Sequence, residues 1–443
     1  MRKIILSTLA MAATVVVLHA EGYQLNLNGT KQAGMGNAGV ALKLGGESMI
    51  YNPAGLSFIN GSISFAAGVT GVRSYVSYKS GSYEAETDNP LGTPLFFYAG
   101  FKISKNLAAG VSLNNPAGNS ICWADNWKGA NIVQNSSLQA FSVQPTLSFK
   151  FLDDKLSIGA GLMMMWGNFS NSKALIPANG LSALVPLVPS LGQYADIVPV
   201  SAKLYGDAKM NYGFNVGILF SPIPQLSIGV SYRSKVDLKV DKGNTDINYA
   251  DTQIQQIIGG LADYGVTIPP LDKGLFSASM PIPSNINFGI SFKPSEDFLL
   301  TAELQRVGWG VFEELVIQYD EKVGNFKSIV PKNYSNTMIY RIGGQWTAYP
   351  NFDVRLGFYY DTTPVNKDRC YSPETPGSNK MAFTGGFSYR PARGLSVDVA
   401  FTYSHGAKTT GYFSESPVSS VGGFGGDYKV HAFLPSLGLS YCF

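Results

Sequence analysis

Charged side chains are scarce in this chain. Asp, Glu, Lys and Arg make up 14% of its 443 residues, against about 25% in ordinary soluble domains. The formal net charge is +3, and Arg2 and Lys3 supply two of those charges. A balance this close to neutral gives no case for a nucleic-acid-binding face or a polybasic membrane patch. Histidine is almost missing: His19, His405 and His431 are the full set, and their spacing matches no metal motif. Long apolar runs are missing too. No stretch beyond residue 20 reaches the 18 residues that a membrane-spanning helix needs. An enzyme is not expected. A serine nucleophile at Ser404 or Ser436 needs a base in reach and an acid to orient it. Ser404 and His405 are adjacent on a strand, so they point to opposite faces.

What is present instead is glycine (49), tyrosine (24) and aromatics at 12%, with a mean hydropathy of only +0.05. The chain starts with Arg2-Lys3, an apolar run from Ile4 to Leu18, and His19-Ala20. This is the layout of a secretory signal peptide over residues 1–20. Residues 21–61 follow without sustained alternation or a helical stripe. They carry the run Ala33-Gly34-Met35-Gly36-Asn37-Ala38-Gly39 and the turn Tyr51-Asn52-Pro53-Ala54-Gly55-Leu56. Gly34–Gly39 matches the dinucleotide fingerprint G-x-G-x-x-G, but no buried strand precedes it and no βαβ unit follows. Small residues packing tightly inside an enclosure explain the run better, so 21–61 is expected to be a compact plug.

From Ser62 onward the periodicity changes to two. Ile63, Phe65, Ala67 and Val69 alternate with small polar residues. Phe141–Phe151, Ile286–Phe292, Leu395–Tyr403 and Leu437–Phe443 repeat the pattern. Alternation alone also fits a soluble sandwich. The turns decide. Short ones at Ser104–Asn106, Asp153–Lys155, Ser221–Gln225, Pro294–Asp297, Tyr349–Asn351 and Pro391–Gly394 alternate with loops of roughly 12 to 40 residues, as in outer-membrane barrels. The fold class is therefore all-β: a transmembrane antiparallel barrel of fourteen strands over residues 62–443. The strands start near 62, 94, 107, 136, 155, 203, 226, 284, 298, 333, 352, 379, 395 and 430. An even number closes without an unpaired edge in lipid.

Taken together, the barrel-plus-plug plan, the start Gly22-Tyr23-Gln24, the small-residue run, Asn52-Pro53-Ala54, Ile228–Val236 and Tyr360–Val365 resemble the FadL family of outer-membrane transporters. The resemblance covers nearly all of the chain after the signal peptide. It implies passive uptake of hydrophobic molecules, chiefly long-chain fatty acids and in some members aromatic hydrocarbons. It also implies a plug, a kinked third strand with a side opening to the membrane, and an outer site between two loops. No cofactor is implied. The partners implied are outer-membrane lipid and lipopolysaccharide, a hydrophobic ligand, and the barrel-assembly machinery through the terminal Phe443. The chain is expected to be a monomer.

Mapped onto this sequence, Gly22, Tyr23, Asn52, Pro53 and Ala54 belong to the plug and gate. The third strand breaks at Asn114, Asn115, Pro116, Ala117 and Gly118, either as the side opening or as a strand ending in its loop. Two apolar loops offer Leu184, Leu187, Val188 and Leu191, and Ile254, Ile257, Ile258 and Leu261. They either catch a ligand or pack on each other, and Gln253–Tyr264 has the spacing of a short helix. By parity, Lys209, Arg233 and Arg341 face the lumen, where they pair with a ligand carboxylate or neutralise the inward Glu303 and Asp398. Cys122 and Cys370, both in outer loops, are a candidate disulfide. Two other functions remain open: a surface barrel that binds a host or phage, and a porin for polar solutes.

Overall fold

The structure is a computed structural model. It describes residues 22–261, 268, 270–366, 371–413 and 424–443. The signal-peptide assignment and Cys370, with its pairing to Cys122, lie outside the described residues.

Fourteen strands close into a ring: β1 (Ile63–Thr70), β2 (Leu95–Lys102), β3 (Leu107–Asn114), β4 (Asn135–Phe151), β5 (Leu156–Ile176), β6 (Val200–Ile223) and β7 (Leu226–Arg233) form one half. The other half is β8 (Asn285–Phe292), β9 (Phe298–Val307), β10 (Thr337–Tyr349), β11 (Phe352–Asp361), β12 (Lys380–Ala392), β13 (Leu395–Gly406) and β14 (Phe424–Cys442). Each pairs antiparallel with its sequence neighbour, and β14 returns to β1 with Ser64 opposite Cys442. Closure leaves no edge for lipid, which cannot satisfy a backbone N–H or C=O. The six short turns read from the sequence lie on one rim, together with the start of β1 and the end of β14.

Alternation sorts the side chains. Phe214, Val216, Ile218 and Phe220 on β6, like Ile286, Phe288, Ile290 and Phe292 on β8, face outward and are exposed. Their inward neighbours Asn215, Ser221, Asn285, Asn287 and Ser291 are buried. In water this polarity would be inside-out. In a bilayer it places the apolar face against the acyl chains and the polar face against the barrel contents.

Residues 22–61 fill those contents. Their backbone groups bond to inward side chains around the ring. The Oγ of Ser291 donates to Ala41 O at 2.9 Å, and that of Ser231 to Tyr51 O at 2.8 Å. Gly39 N–H and Val40 N–H both donate to Glu303 Oε2, at 2.9 and 3.0 Å. Gly343 and Gly357 let the segment touch the wall. A Cβ on either would come within 2.4 Å of Met35 or Gly36 backbone, closer than real contacts allow.

On the long-loop side several wall strands continue as separate segments, and among the described residues the ladder stops and resumes at three places. Between β2 and β3 it stops at Phe96↔Asn114; the next link is Asp88 N–H to Cys122 O, at 2.9 Å. Between β6 and the chain beyond β7 it stops at Asn215↔Arg233 and resumes at Tyr205↔Asn244, on the segment Val236–Tyr249. Between the chain preceding β8 and the chain following β9 it stops at Asn285↔Val307 and resumes at Ala278↔Ile317.

Candidate functional site

The β2–β3 interruption opens into a cavity of about 600 Å3, within the roughly 300–1,000 Å3 typical of small-molecule sites. Its sides come from Pro90–Pro94 before β2, Leu95 at the start of β2, Asn115 and Ala117–Ile121 after β3, and Leu138 and Phe141 on β4. Leu91 and Leu95 at its rim are exposed on the outer wall. Gly22 and Gln24–Leu27 close the inner side, and Arg341, Lys380, Ser404 and His431 also line it.

Proline has no N–H to give a ladder, and the break is built around that fact. At Pro116 the chain leaves β2, and the Asn115 side chain bridges the space. Its Oδ1 accepts from Leu95 N–H at 3.0 Å, and its Nδ2 donates to Ala140 O at 2.9 Å. Asn114 Nδ2 donates to Asn28 Oδ1 at 2.7 Å, tying the break to the N-terminal segment. That segment runs alongside and forms a single antiparallel bridge. Leu25 N–H donates to Pro116 O at 3.0 Å, Gly118 N–H donates to Tyr23 O at 2.8 Å, and Gln24 faces Ala117. Of the five residues expected at a side opening, Asn115, Ala117 and Gly118 line the cavity, Asn114 and Pro116 bond to the N-terminal segment beside it, and the chain continues as Gly118–Cys122 paired to β4.

Residues 22–25 reach across the bore. Tyr23 Oη donates to Pro281 O at 2.6 Å on the far side. Its ring packs edge-on against Trp309 and Phe312, with centroids 4.9 and 5.9 Å away. A Cβ on Gly22 would meet the Trp309 ring at 2.7 Å. This aromatic packing fills the β8–β9 interruption.

Asn52, Pro53 and Ala54 are placed elsewhere. Asn52 Nδ2 donates to Val40 O and Ile218 O, at 2.9 and 3.0 Å. Ala54 O accepts from Ser148 Oγ and Ser157 Oγ at 2.9 and 3.0 Å. This turn anchors the segment to β4–β6 and takes no part in the cavity lining.

The cations divide three ways. Arg341 and Arg233 face inward, as parity predicts. Arg341 Nη1 pairs with Glu303 Oε1 at 2.9 Å, and Arg233 Nη2 donates to Ile50 O at 3.0 Å. The buried Arg341 Nε has no hydrogen-bond partner. Lys209 contradicts the expectation. Its side chain is 71% exposed on the outer wall and pairs with Asp241 at 2.7 Å. The cause is a bulge. Between Gly167↔Ala208 and Met165↔Asn211 the β6 strand carries one residue more than β5, so the inward set changes from even to odd numbers. Lys380, opposite Asp361 in the β11–β12 ladder, and the buried Arg355, paired with Asp353 at 3.3 Å, are inward cations that sequence parity passed over.

The two apolar loops pack on each other. The helix Thr252–Gly260 forms where the spacing predicts, capped by Asp251, whose carboxylate accepts from Ile254 N–H at 2.8 Å. Ile254, Ile258 and Leu261 are buried with Leu191 in one cluster, with Leu184, Val188 and Ile257 against its edge. Leu187 is 64% exposed. The four buried residues therefore form the loops' own core, and Leu187 is the member most available to a ligand.

Comparison with known proteins agrees with this architecture. The family described as outer membrane protein transport protein (OMPP1/FadL/TodX) matches residues 9–443. A long-chain fatty acid transport protein of Escherichia coli O6:H1 is 24% identical, over 99% of this chain and 98% of that protein. A FadL homologue of Pseudomonas aeruginosa has the same fold, with a TM-score of 0.80 at 21% identity, covering 96% of this chain and all of that one. The toluene transporter TbuX of Ralstonia pickettii gives 0.67 at 18% identity, covering 94% and 98%.

Proposed function

This chain belongs to the FadL/TodX family of outer-membrane transport proteins, and from that premise we propose that its cargo is a long-chain fatty acid. The barrel is integral to the bacterial outer membrane, and the family moves hydrophobic compounds without an enzymatic step. The route we infer starts at the long-loop rim, with loose apolar contact near Leu187. It enters the 600 Å3 cavity and leaves for the membrane past Asn115-Pro116. Residues 21–61 act as the plug, and Gly22–Leu27 act as its gate. Burial worth about 25 cal/mol per Å2 of apolar area holds the acyl chain in the cavity.

The observation that carries the fatty-acid reading is the polar part of the lining. The cavity combines apolar sides with Arg341 and Lys380. The Arg341 Nε is buried and unpartnered, so a head group that accepts a hydrogen bond gains there. A toluene-like hydrocarbon offers no acceptor and gains nothing from either cation. Glu303 already engages the far end of the guanidinium, which holds it in place for this second bond.

Native mass spectrometry of the detergent-purified protein tests the reading. A co-purified fatty acid, displaced by added oleate and not by toluene, supports it. Toluene binding as tightly as oleate, with no loss of oleate affinity in Arg341→Gln and Lys380→Gln, overturns it.

A further inference from the structure

The β6 interruption has a second feature besides the missing ladder. Over residues 206–213 of β6 and 235–243 opposite, the wall is held by side chains rather than by backbone pairs. Val240 and Val236 fold over the β6 edge. A Cβ on Gly206 would come within 2.8 Å of Val240 Cγ1, and one on Gly213 within 2.5 Å of Val236 Cγ2. Glycine at both positions lets the valines reach that close. Behind them lies an apolar void of about 20 Å3, room for about one water-sized sphere, lined by Ala208, Leu238, Val240 and Phe169 and, from the β8–β9 side, by Ala278, Met280, Leu315 and Ile317. On the outside, the Lys209–Asp241 pair spans the seam, with both side chains at least half exposed.

The seam is level in register with the β3 break. Gly118 is opposite Gln139, Gln139 opposite Asn168, and Asn168 opposite Asp207. It sits where the outward apolar belt ends. Below it β6 shows Tyr212 and Phe214; above it the exposed outward residues are Asp207, Tyr205 and Lys203. Tyrosine followed by lysine marks the boundary between acyl chains and head groups. Lys239 and Lys242 are exposed beside the pair.

We propose that this seam is a second side entrance, through which an anionic amphiphile leaves the outer leaflet for the lumen. The proposal rests on the fatty-acid reading above. The ligand's carboxylate takes the place of Asp241 on the Lys209 ammonium, and its acyl chain displaces the Val236 and Val240 side chains to reach the lumen. No ladder hydrogen bond has to break for this, whereas any fully paired part of the wall would lose several. The β8–β9 interruption does not serve, because Tyr23, Trp309 and Phe312 fill it and Tyr23 is hydrogen-bonded across it.

A reversible bridge tests the proposal. In a full-length background carrying Cys122→Ser, Cys370→Ser and Cys442→Ser, Lys209→Cys and Asp241→Cys are joined by a short bis-methanethiosulfonate, and oleate uptake by cells is measured. Uptake is expected to fall at least threefold on bridging and to recover with reductant. The same bridge at Lys79→Cys and Glu84→Cys, an ion pair elsewhere on the outer loops, should leave uptake unchanged. Equal uptake with the seam bridged and open overturns the entrance while leaving transport intact. A cysteine-free parent that takes up no oleate overturns the transport reading and the entrance with it. Should the double-cysteine barrel not fold, Asp241→Lys serves. Repulsion of Lys209 should raise uptake about threefold, and no change overturns the proposal.

Discussion

The N-terminal segment meets the wall in two contrasting ways. At Asn52–Ala54 its contacts are side chain to backbone and fully buried, and they fit against glycines. A Cβ on Gly159 would lie 2.3 Å from the Pro53 carbonyl carbon, and one on Gly217 2.0 Å from Asn52 Oδ1. At Gly22–Leu27 the contacts are a few backbone bonds to the edge of an interrupted strand, one tyrosine hydroxyl and an aromatic box. Both hold the same forty-residue segment. The first cannot shift without rebuilding three wall strands, whereas the second rests on a few local contacts. A plug that stays in the barrel while its end moves needs both kinds of contact.

The contrast can be broken most forcefully at the anchor. Gly217→Val forces backbone movement at Asn52 and should cost about 3–5 kcal/mol, read as loss of the heat-modifiable folded band on gels. Asn52→Ala removes the side-chain donor to Val40 O and Ile218 O and should cost about 2 kcal/mol in a urea titration, with oleate uptake little changed. At the gate the pattern reverses. Tyr23→Phe removes the bond to Pro281 O, worth about 1 kcal/mol. It should speed oleate uptake about fivefold while leaving the unfolding midpoint nearly in place. Equal effects of Asn52→Ala and Tyr23→Phe on stability and on uptake would erase the distinction.

The smallest effect concerns the outer mouth, where the chain between β11 and β12 reaches across to β4 and β5. Glu374 accepts from Ser136 and Asn171 at 3.1 and 3.0 Å and pairs with Lys332 at 2.9 Å. Burial pushes its carboxyl up, but Lys332 and the two hydrogen bonds outweigh that and hold it below the usual range. A depressed carboxyl stabilises fully above its ordinary value, about 4.3, and loses that contribution as pH falls through the lower folded value. The protection of 371–379 against hydrogen exchange, measured relative to the intrinsic rate at each pH, should therefore be higher at pH 7 than at pH 3. Glu374→Gln should show the lower protection at both.

Much of this architecture is legible in the sequence because the wall obeys a strict period. Alternating side chains and short turns place all fourteen strands, and Asn115-Pro116 marks the break because proline cannot join a ladder. The stripe at 254, 257, 258 and 261 gives the helix. What it cannot give is the partner, and Leu191 from the other loop covers that stripe. Lys209 shows the other limit. One extra residue in a bulge reverses every inward assignment beyond it, and nothing in Ala208-Lys209-Met210 announces the bulge. The seam opposite it depends on which strand β6 meets thirty residues later, a long-range register that local pattern does not carry.

The central claim is that Gly22–Leu27 must leave the β3 break for cargo to pass. Gln24 and Ala117 face each other across that contact, so Gln24→Cys with Ala117→Cys, in the background without native cysteines, can fix it by a disulfide. Oleate uptake should be abolished when the pair is oxidised and return when it is reduced. Uptake at the same rate in both states would contradict the account.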